Sequence, residues 1–246
     1  MALQAKIGIL GYGEIGQAMA RFYNNPKIKD LIRDDDLKGV EVLHVCIPFS
    51  DNFIRIVAAE IKNIKPKLTI IHSTVLPFTT NKLAKIVAPL FVVHSPVRGV
   101  HPHLQRGIKT FIKYIGADNK NSGDLAKKHL EGLGIKTEIF YPSVTTEALK
   151  LWDTTQYGLM IVLNKEMKKW CDKYGLDFEK IYTEANKSYN EGYLKLKRPE
   201  VMRPYLKYIA GKIGGHCVIP NCRILDSEIA KFILKKNRSY REKRKI

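Results

Sequence analysis

The amino-acid sequence predicts an α/β protein in which a doubly wound parallel sheet is followed by a smaller all-α domain with one long helix. Three observations lead there. From residue 5 to about 140, short β-branched runs alternate with amphipathic stretches of helical length, the pattern of repeated βα units. The glycine-spaced segment Gly11-Tyr12-Gly13-Glu14-Ile15-Gly16 follows the first of those runs directly and opens a helical stretch. From Val144 to Tyr174, apolar residues recur at helical spacing with no proline among them.

The alternation places strands at 5–11, 41–47, 68–73, 90–94, 109–115 and 136–140, with helices at 14–23, 51–64, 79–87 and 121–132. The continuous apolar character of Val42 to Ile47 suits a strand covered on both faces. Between Pro26 and Gly39, where a second strand belongs, Lys, Asp and Arg dominate and only Ile28, Leu31 and Ile32 offer apolar surface to bury. That strand is expected to be stunted. Tyr141-Pro142-Ser143 ends the alternation and one long helix follows. A further helix is expected from Asp177 to about Tyr189, then a Pro- and Gly-punctuated loop from Gly192 to Pro220, then a basic helix from about Leu225. The boundary so read separates a dinucleotide-binding domain over 1–142 from a helical domain over 143–246 that ends in a basic tail. A helix of about 30 residues is about 45 Å long, more than the flank of a small domain covers. Part of its apolar stripe is therefore expected to meet a second copy, giving a homodimer.

Composition narrows the function classes. With 246 residues, 45% hydrophobic and 27% charged, the chain has the makeup of an ordinary globular protein. No apolar run approaches the roughly 20 residues of a membrane span. The N-terminus enters a strand-like run at once, without the regions of an export signal, so a cytoplasmic location is the expectation. The four cysteines, Cys46, Cys171, Cys217 and Cys222, are too few for a disulfide scaffold. A special cysteine here is then a nucleophile or a ligand. The formal charge of +18 attracts anions, and it is concentrated late: residues 187–246 hold 16 Lys and Arg against 5 Asp and Glu. Arg and Lys interleaved with Phe232 and Tyr240 would support salt-sensitive nucleic-acid association, but no reading motif accompanies them and specific binding is not expected. A solvated basic helix describes the same residues.

The glycine segment has the strand–turn–helix setting of a Rossmann-like fingerprint. Gly11 permits the tight turn, Gly13 lets backbone approach a pyrophosphate, Gly16 allows close packing, and the helix N-terminus supplies a dipole. An acidic residue at the end of the second strand holds the adenosine ribose in such sites. Asp30 ends the run Lys27-Ile-Lys-Asp and is preferred over Asp34, which lies at a more usual distance; either favours NAD over NADP. Asp34-Asp-Asp36 is otherwise a solvated turn. Tyr12, Glu14 and Ile15 within the loop, Pro48 beyond the 41–47 strand, and Ser73 complete the expected cofactor set.

Three further stretches, Leu68–Thr80 with Ser73-Thr74-Val-Leu-Pro77, Thr146–Thr154, and Gly214-Gly215-His216-Cys217-Val-Ile-Pro220, resemble the UDP-glucose/GDP-mannose dehydrogenase family, the nucleotide-sugar dehydrogenases. The resemblance implies a strand ending beside nicotinamide, with Thr74 helping to hold a catalytic water. Ser-Thr there equally describes a helix N-cap. It further implies that Lys150 and Thr154, one helical turn apart on one face, look toward substrate, Lys150 stabilising an oxyanion. An exposed helix lysine is the plain alternative. Finally, it implies that Cys217 is the catalytic thiol on a glycine-permitted turn, which traps an aldehyde so that hydride transfer to NAD leaves a thioester. His216, Cys217 and Cys222 fit no standard zinc spacing, and no metal is expected.

The departures are specific. After Ser95-Pro96 the family has a glutamate and this chain has Val97-Arg98-Gly99. The helix asparagine of the family is Thr154. After the cysteine the proline comes one place late and Asn221-Cys222 follows, so the expected carboxylate is missing. The chain stops soon after the cysteine motif, where the family adds a C-terminal nucleotide-sugar-binding domain, so half of the expected substrate clamp is absent. Arg98, Arg203, Lys207 and His216 are candidate contacts to an anionic substrate, with Lys212 beside them; solvated loop charges are the alternative for the last-named lysines and Arg203. The sequence thus points to an NAD-dependent oxidoreductase acting on an alcohol or aldehyde of an anionic substrate such as a sugar nucleotide, in two or four electrons. The alternative is a non-catalytic NAD-binding sensor or assembly protein on the same fold.

Overall fold

The computed structural model describes residues 6–99 and 103–241. Residues 1–5, where the reading of an N-terminus without an export signal begins, and the last basic residues, 242–246, lie outside the described residues. Contacts divide the chain into unit 1, Met1–Lys150, and unit 2, Leu151–Ile246, rather than after residue 142.

Unit 1 runs β1 (Ile7–Leu10), α1 (Glu14–Ala20), β2 (Lys27–Asp30), β3 (Arg33–Asp34), β4 (Val42–Val45), α2 (Phe53–Ile64), β5 (Leu68–Ile71), α3 (Thr79–Val87), β6 (Phe91–His94), α4 (Leu104–Thr110), β7 (Lys113–Gly116), α5 (Lys120–Glu131) and β8 (Thr137–Phe140). The sheet order is β3-β2-β1-β4-β5-β6-β7-β8. β2, β1, β4, β5 and β6 are mutually parallel, with Leu10 opposite Val45, Val45 opposite Ile71, and Ile71 opposite His94. This is the Rossmann-like doubly wound core that the alternation predicts. The sheet is not wholly parallel: β3 turns back against β2, and β7 runs antiparallel to β6 before β8 resumes in parallel with β7. Two apolar layers cover it. One packs Ile9, Met19, Ile70 and Leu130, the other Leu43, Phe53, Ile61 and Leu83.

Two expectations are corrected in unit 1. The strand placed at 109–115 begins only at Lys113, because Leu104 and Ile108, one turn apart and both buried, form the inner face of α4. The β-branched run after Thr110 conceals that helix. The second strand is as short as expected and Ile28 is buried in it, but Leu31 and Ile32 are not: they form the turn between β2 and β3 and are 103% and 89% exposed.

The helix α6 (Val144–Lys173) is unbroken and starts within unit 1. In unit 2, a π-helical turn at Glu179–Glu184 continues into α7 (Ala185–Lys195), past the expected end at 189 and through Gly192. A short 3-10 turn occupies Pro199–Val201, and α8 (Val218–Ile224) and α9 (Glu228–Ser239) follow. The expected loop therefore ends at α8 instead of Pro220. Pro220 sits in the first turn of α8, where a missing N–H breaks no helical bond. α9 starts three residues late because Ser227 caps it, its hydroxyl accepting from Ala230 N at 3.1 Å. Among the described residues no helix is long and apolar enough to cross a membrane.

Candidate active site

The glycine loop sits at the C-terminal end of β1, between β2 and β4, and its three glycines do different work. Gly11 has φ +94°, and a Cβ there would lie 2.8 Å from Ile47 N. A Cβ on Gly16 would lie 2.0 Å from the Gly11 carbonyl oxygen, so only glycine lets α1 close onto the turn. Gly13 is different. Its φ is −68° and a Cβ would meet nothing within 4 Å. The protein's own packing makes no demand there, which leaves open space for a ligand's phosphates to approach the backbone.

Asp30, the last residue of β2, accepts from Tyr12 N through Oδ2 at 2.6 Å. The carboxylate is thereby fixed against the glycine loop. Asp34 lies on β3, exposed, 3.9 Å from the Lys29 ammonium. Of the two carboxylates, the fold brings Asp30 to the loop. The donor set and the open cradle at Gly13 fit a dinucleotide with a ribose diol. Glu14 and Ile15 form the first turn of α1, and Pro48 is exposed just beyond β4.

Ser73 and Thr74 follow β5. The Ser73 hydroxyl donates to Ile47 O at 2.6 Å, tying the loop after β5 to the loop after β4. They do not cap α3: Phe78, with φ 71°, stands at its N-cap, and the N–H groups of its first turn are met from elsewhere. Glu147, in the first turn of α6 and fully buried, accepts from Phe78 N at 2.6 Å, Thr80 N at 2.8 Å and the Thr80 hydroxyl at 2.6 Å. Lys150, one turn further along, is half-buried, and its charge lowers the pKa of both His94 and Lys113. Val97 is buried in the apolar layer. Arg98 is engaged locally, its guanidinium 5.4 Å from the Phe111 ring and 5.3 Å from the Tyr114 ring.

In unit 2, Gly215 has φ +80°, the left-handed geometry that the cysteine turn requires. Cys217 follows at the N-cap of α8, half-buried against Val162, Val218 and Ile233, and His216 is exposed. Thr154 and Asn221 meet although far apart in sequence: Asn221 Nδ2 donates to Thr154 Oγ1 at 3.1 Å, both side chains buried. This pairing is invisible in the sequence. Asn221 stands four residues after Cys217, so a neutral amide replaces the expected carboxylate and is held by the residue that replaces the expected asparagine. Arg203 lies flat on Tyr189, 3.5 Å from the ring centroid, while Asn190 bonds both its N–H and its carbonyl. Lys207 is exposed on the same extended segment.

A polar row under α1 and α5 was not expected. His44 on β4, His72 after β5 and Lys113 on β7 point into the same layer and are all but fully buried. His72 Nδ1 lies 2.9 Å from Ser95 O and must donate to it, so His72 Nε2 accepts from His44 Nδ1 at 2.8 Å. His44 Nε2 then accepts from the Tyr23 hydroxyl at 2.8 Å, whose oxygen accepts from His129 Nε2 at 2.8 Å. Lys113 Nζ donates to Ser95 O at 2.8 Å and Pro96 O at 3.2 Å. His94, buried nearby, is set between the Thr146 hydroxyl and Ser73 O. Burial pushes His44 and His72 well below the usual imidazole range, His94 down to about 3 and His129 down to about 4. It also lowers Lys113 to about 7 and raises the Cys46 thiol to about 12. The period-two placement of His44 on β4 and Cys46 directly after it was the available signal.

No family model matches the chain. It is 26% identical over 226 residues to a UDP-N-acetyl-D-mannosamine dehydrogenase of Pyrococcus horikoshii, covering 83% of this chain and 50% of that protein. A protein of the same name from Methanococcus vannielii is 29% identical over 153 residues, 61% of this chain and 33% of the relative. The chain thus spans half or less of the curated relatives it matches. Among solved structures, UDP-D-ManNAc dehydrogenase of P. horikoshii superposes with a TM-score of 0.75 at 20% identity, covering 95% of this chain and 68% of that one. A 3-hydroxyisobutyrate dehydrogenase of Mycobacterium tuberculosis gives 0.71 at 13% identity, covering 95% and 92%. These structures share the fold, and in sequence the chain is similar to UDP-N-acetyl-D-mannosamine dehydrogenases.

Proposed function

We propose that the chain is an NAD-dependent oxidoreductase acting on the alcohol or aldehyde carbon of an anionic substrate, a sugar nucleotide by kinship with the UDP-N-acetyl-D-mannosamine dehydrogenases. The observation that carries this is the glycine loop: Gly13 is free of any packing demand and Asp30 is pinned to Tyr12 N beside it. Bound NAD supplies the hydride acceptor. Ser73 and Pro48 border it at the strand ends, and Thr74 holds a water there. Cys217 is the nucleophile, its sulfur adding to the aldehyde carbon while the carbonyl electron pair moves to oxygen, and Lys150 is the cation that stabilises that oxygen. The buried Thr154–Asn221 pair is neutral and offers no base. Arg98, Arg203, Lys207 and His216 are assigned to the anionic end of the substrate.

The test begins with NADH and NADPH titrations followed by nicotinamide fluorescence. Saturable binding with preference for NADH is expected in the parent chain. Gly13→Ala is expected to weaken it at least tenfold with an unchanged melting temperature, since the added methyl fills only the open cradle. Unchanged affinity in that variant would remove the loop from the site. A screen of UDP-sugars then compares the parent with Cys217→Ser, in which turnover is expected to vanish while NADH affinity stays the same. Binding without turnover on any substrate would favour the sensor or assembly protein instead.

The chain is further assigned as a homodimer through α6. Trp152, Leu163 and Trp170 are each about half-exposed and recur within a narrow stripe of the helix. Light scattering is expected to give twice the mass of 28.1 kDa, and a monomer mass that Trp170→Glu leaves unchanged would defeat the assignment.

A further inference from the structure

Helix α7 ends in a tip that unit 2 does not use for its own packing. No residue of α7 is buried, and from Leu194 to Glu200 every residue is exposed. Leu194 and Leu196 are 61% and 68% exposed, the highest values of any large apolar side chain described in unit 2. Lys195 stands between them, and Lys197 and Arg198 follow. Arg198 pairs with Glu200 at 3.0 Å in an exposed contact of little energetic weight, whereas Lys195 and Lys197 pair with no carboxylate among the described residues. The backbone sets one of these lysines where a lysine is unfavourable. Arg198 N donates to Tyr193 O at 2.9 Å and Lys197 N to Leu194 O at 3.0 Å, the paired bonds of a Schellman turn. That turn holds Lys197 at φ +57°, a geometry glycine adopts freely and a residue with a Cβ does not. Backbone strain kept at an exposed residue points to a role outside the fold.

We propose that the end of α7, from Leu194 to Arg198, is an anchor for the surface of an anionic lipid bilayer, its two leucines seated below the headgroups and its cations among the lipid phosphates. The surrounding charge has the right sign, since residues 187–212 hold 7 Lys and Arg against 2 Glu. A second copy fits the tip poorly, because a two-fold contact would set Lys195, Lys197 and Arg198 against their own images. Nucleic acid would take the cations, but leucine offers a base no face to stack on and a phosphate no hydrogen bond. An anionic bilayer accepts both kinds of side chain at once, with phosphates at its surface and an apolar boundary just beneath. The anchor lies on the membrane without spanning it, and it does not depend on the dinucleotide site of unit 1.

The experiment is co-sedimentation of the full chain with phosphatidylcholine vesicles, alone or with about 30% phosphatidylglycerol, at near-physiological salt. The parent chain is expected to bind the anionic vesicles at least tenfold more tightly than the zwitterionic ones. Leu194→Ser with Leu196→Ser keeps every charge and is expected to lose about tenfold in affinity for the anionic vesicles. Lys197→Gly removes one cation and relieves the left-handed strain, so its affinity is expected to fall about fivefold while its melting temperature holds or rises. Adsorption through the net charge of +18 alone would leave the leucine variant at the parent's affinity, and that result would overturn the proposal. Equal binding to the two kinds of vesicle, or parent-level affinity in Lys197→Gly, would overturn it as well. Binding of poly(U) that the leucine variant loses while its vesicle binding persists would assign the tip to nucleic acid instead.

Discussion

Unit 1 is expected to unfold on mild acidification, near pH 5. His44, His72, His94 and His129 stay neutral in the folded state well below the pH at which an unfolded imidazole takes up its proton. From about pH 6.5 down to about 4 the unfolded chain therefore binds more protons than the folded one, and stability falls as pH falls. Each such group contributes about 1.4 kcal/mol per pH unit, so the group of four removes roughly 5 kcal/mol per unit. The whole stability of a domain is about 5–15 kcal/mol. Lys113 acts in the other window: its lowered pKa makes stability rise as pH rises from about 7 toward 10, and below 7 it adds no further slope. Urea midpoints measured at pH 7, 6 and 5.5 are expected to drop steeply, with the proton uptake on unfolding approaching four. A midpoint that holds to pH 5 would show that these imidazoles charge in place.

Replacing Glu147 by alanine is expected to cost about 3–4 kcal/mol at pH 7, since it strands Phe78 N, Thr80 N and the Thr80 hydroxyl in a site closed to water. α3 starts at a residue whose own side chain caps nothing, so the carboxylate from α6 does the capping from outside. Glu147→Gln keeps the size and one acceptor but turns an amide toward donors, and an intermediate loss is expected. Because Lys150 lies one turn beyond Glu147, the alanine variant also loosens the lysine assigned to the oxyanion. An alanine variant within about 1 kcal/mol of the parent by urea unfolding would show that water or the Thr80 side chain replaces the carboxylate.

What could be read from the chain beforehand depended on how local the cause was. The spacing of Gly11, Gly13 and Gly16 encodes a turn, an open approach and a close packing within six residues, and all three geometries are present. Gly215 likewise announces a left-handed turn ahead of Cys217. α4 was concealed because the β-branched run that follows it extends the strand pattern backward over Ile108 and Thr110. α8 was concealed by Pro220, which reads as a stop until its place in the first helical turn is known. The Thr154–Asn221 bond and the His44–His72 bond join residues from different elements, and a buried polar side chain in an apolar run carries no mark of its distant partner.

The short second strand also determines how the sheet is finished at that side. An edge strand offers unpaired amides and carbonyls to any extended chain that drifts past, and long flat edges invite association into fibres. Here the outermost strand, β3, is two residues long, antiparallel to its neighbour and made of Arg33 and Asp34, with Asp35 and Asp36 directly after. The Asp35 carboxylate turns back to accept from Ile28 N at 2.9 Å and pairs with Arg33, so it closes part of the border itself. The hairpin thus acts as a hem on a strand too short to defend its own margin and keeps the sheet from growing outward.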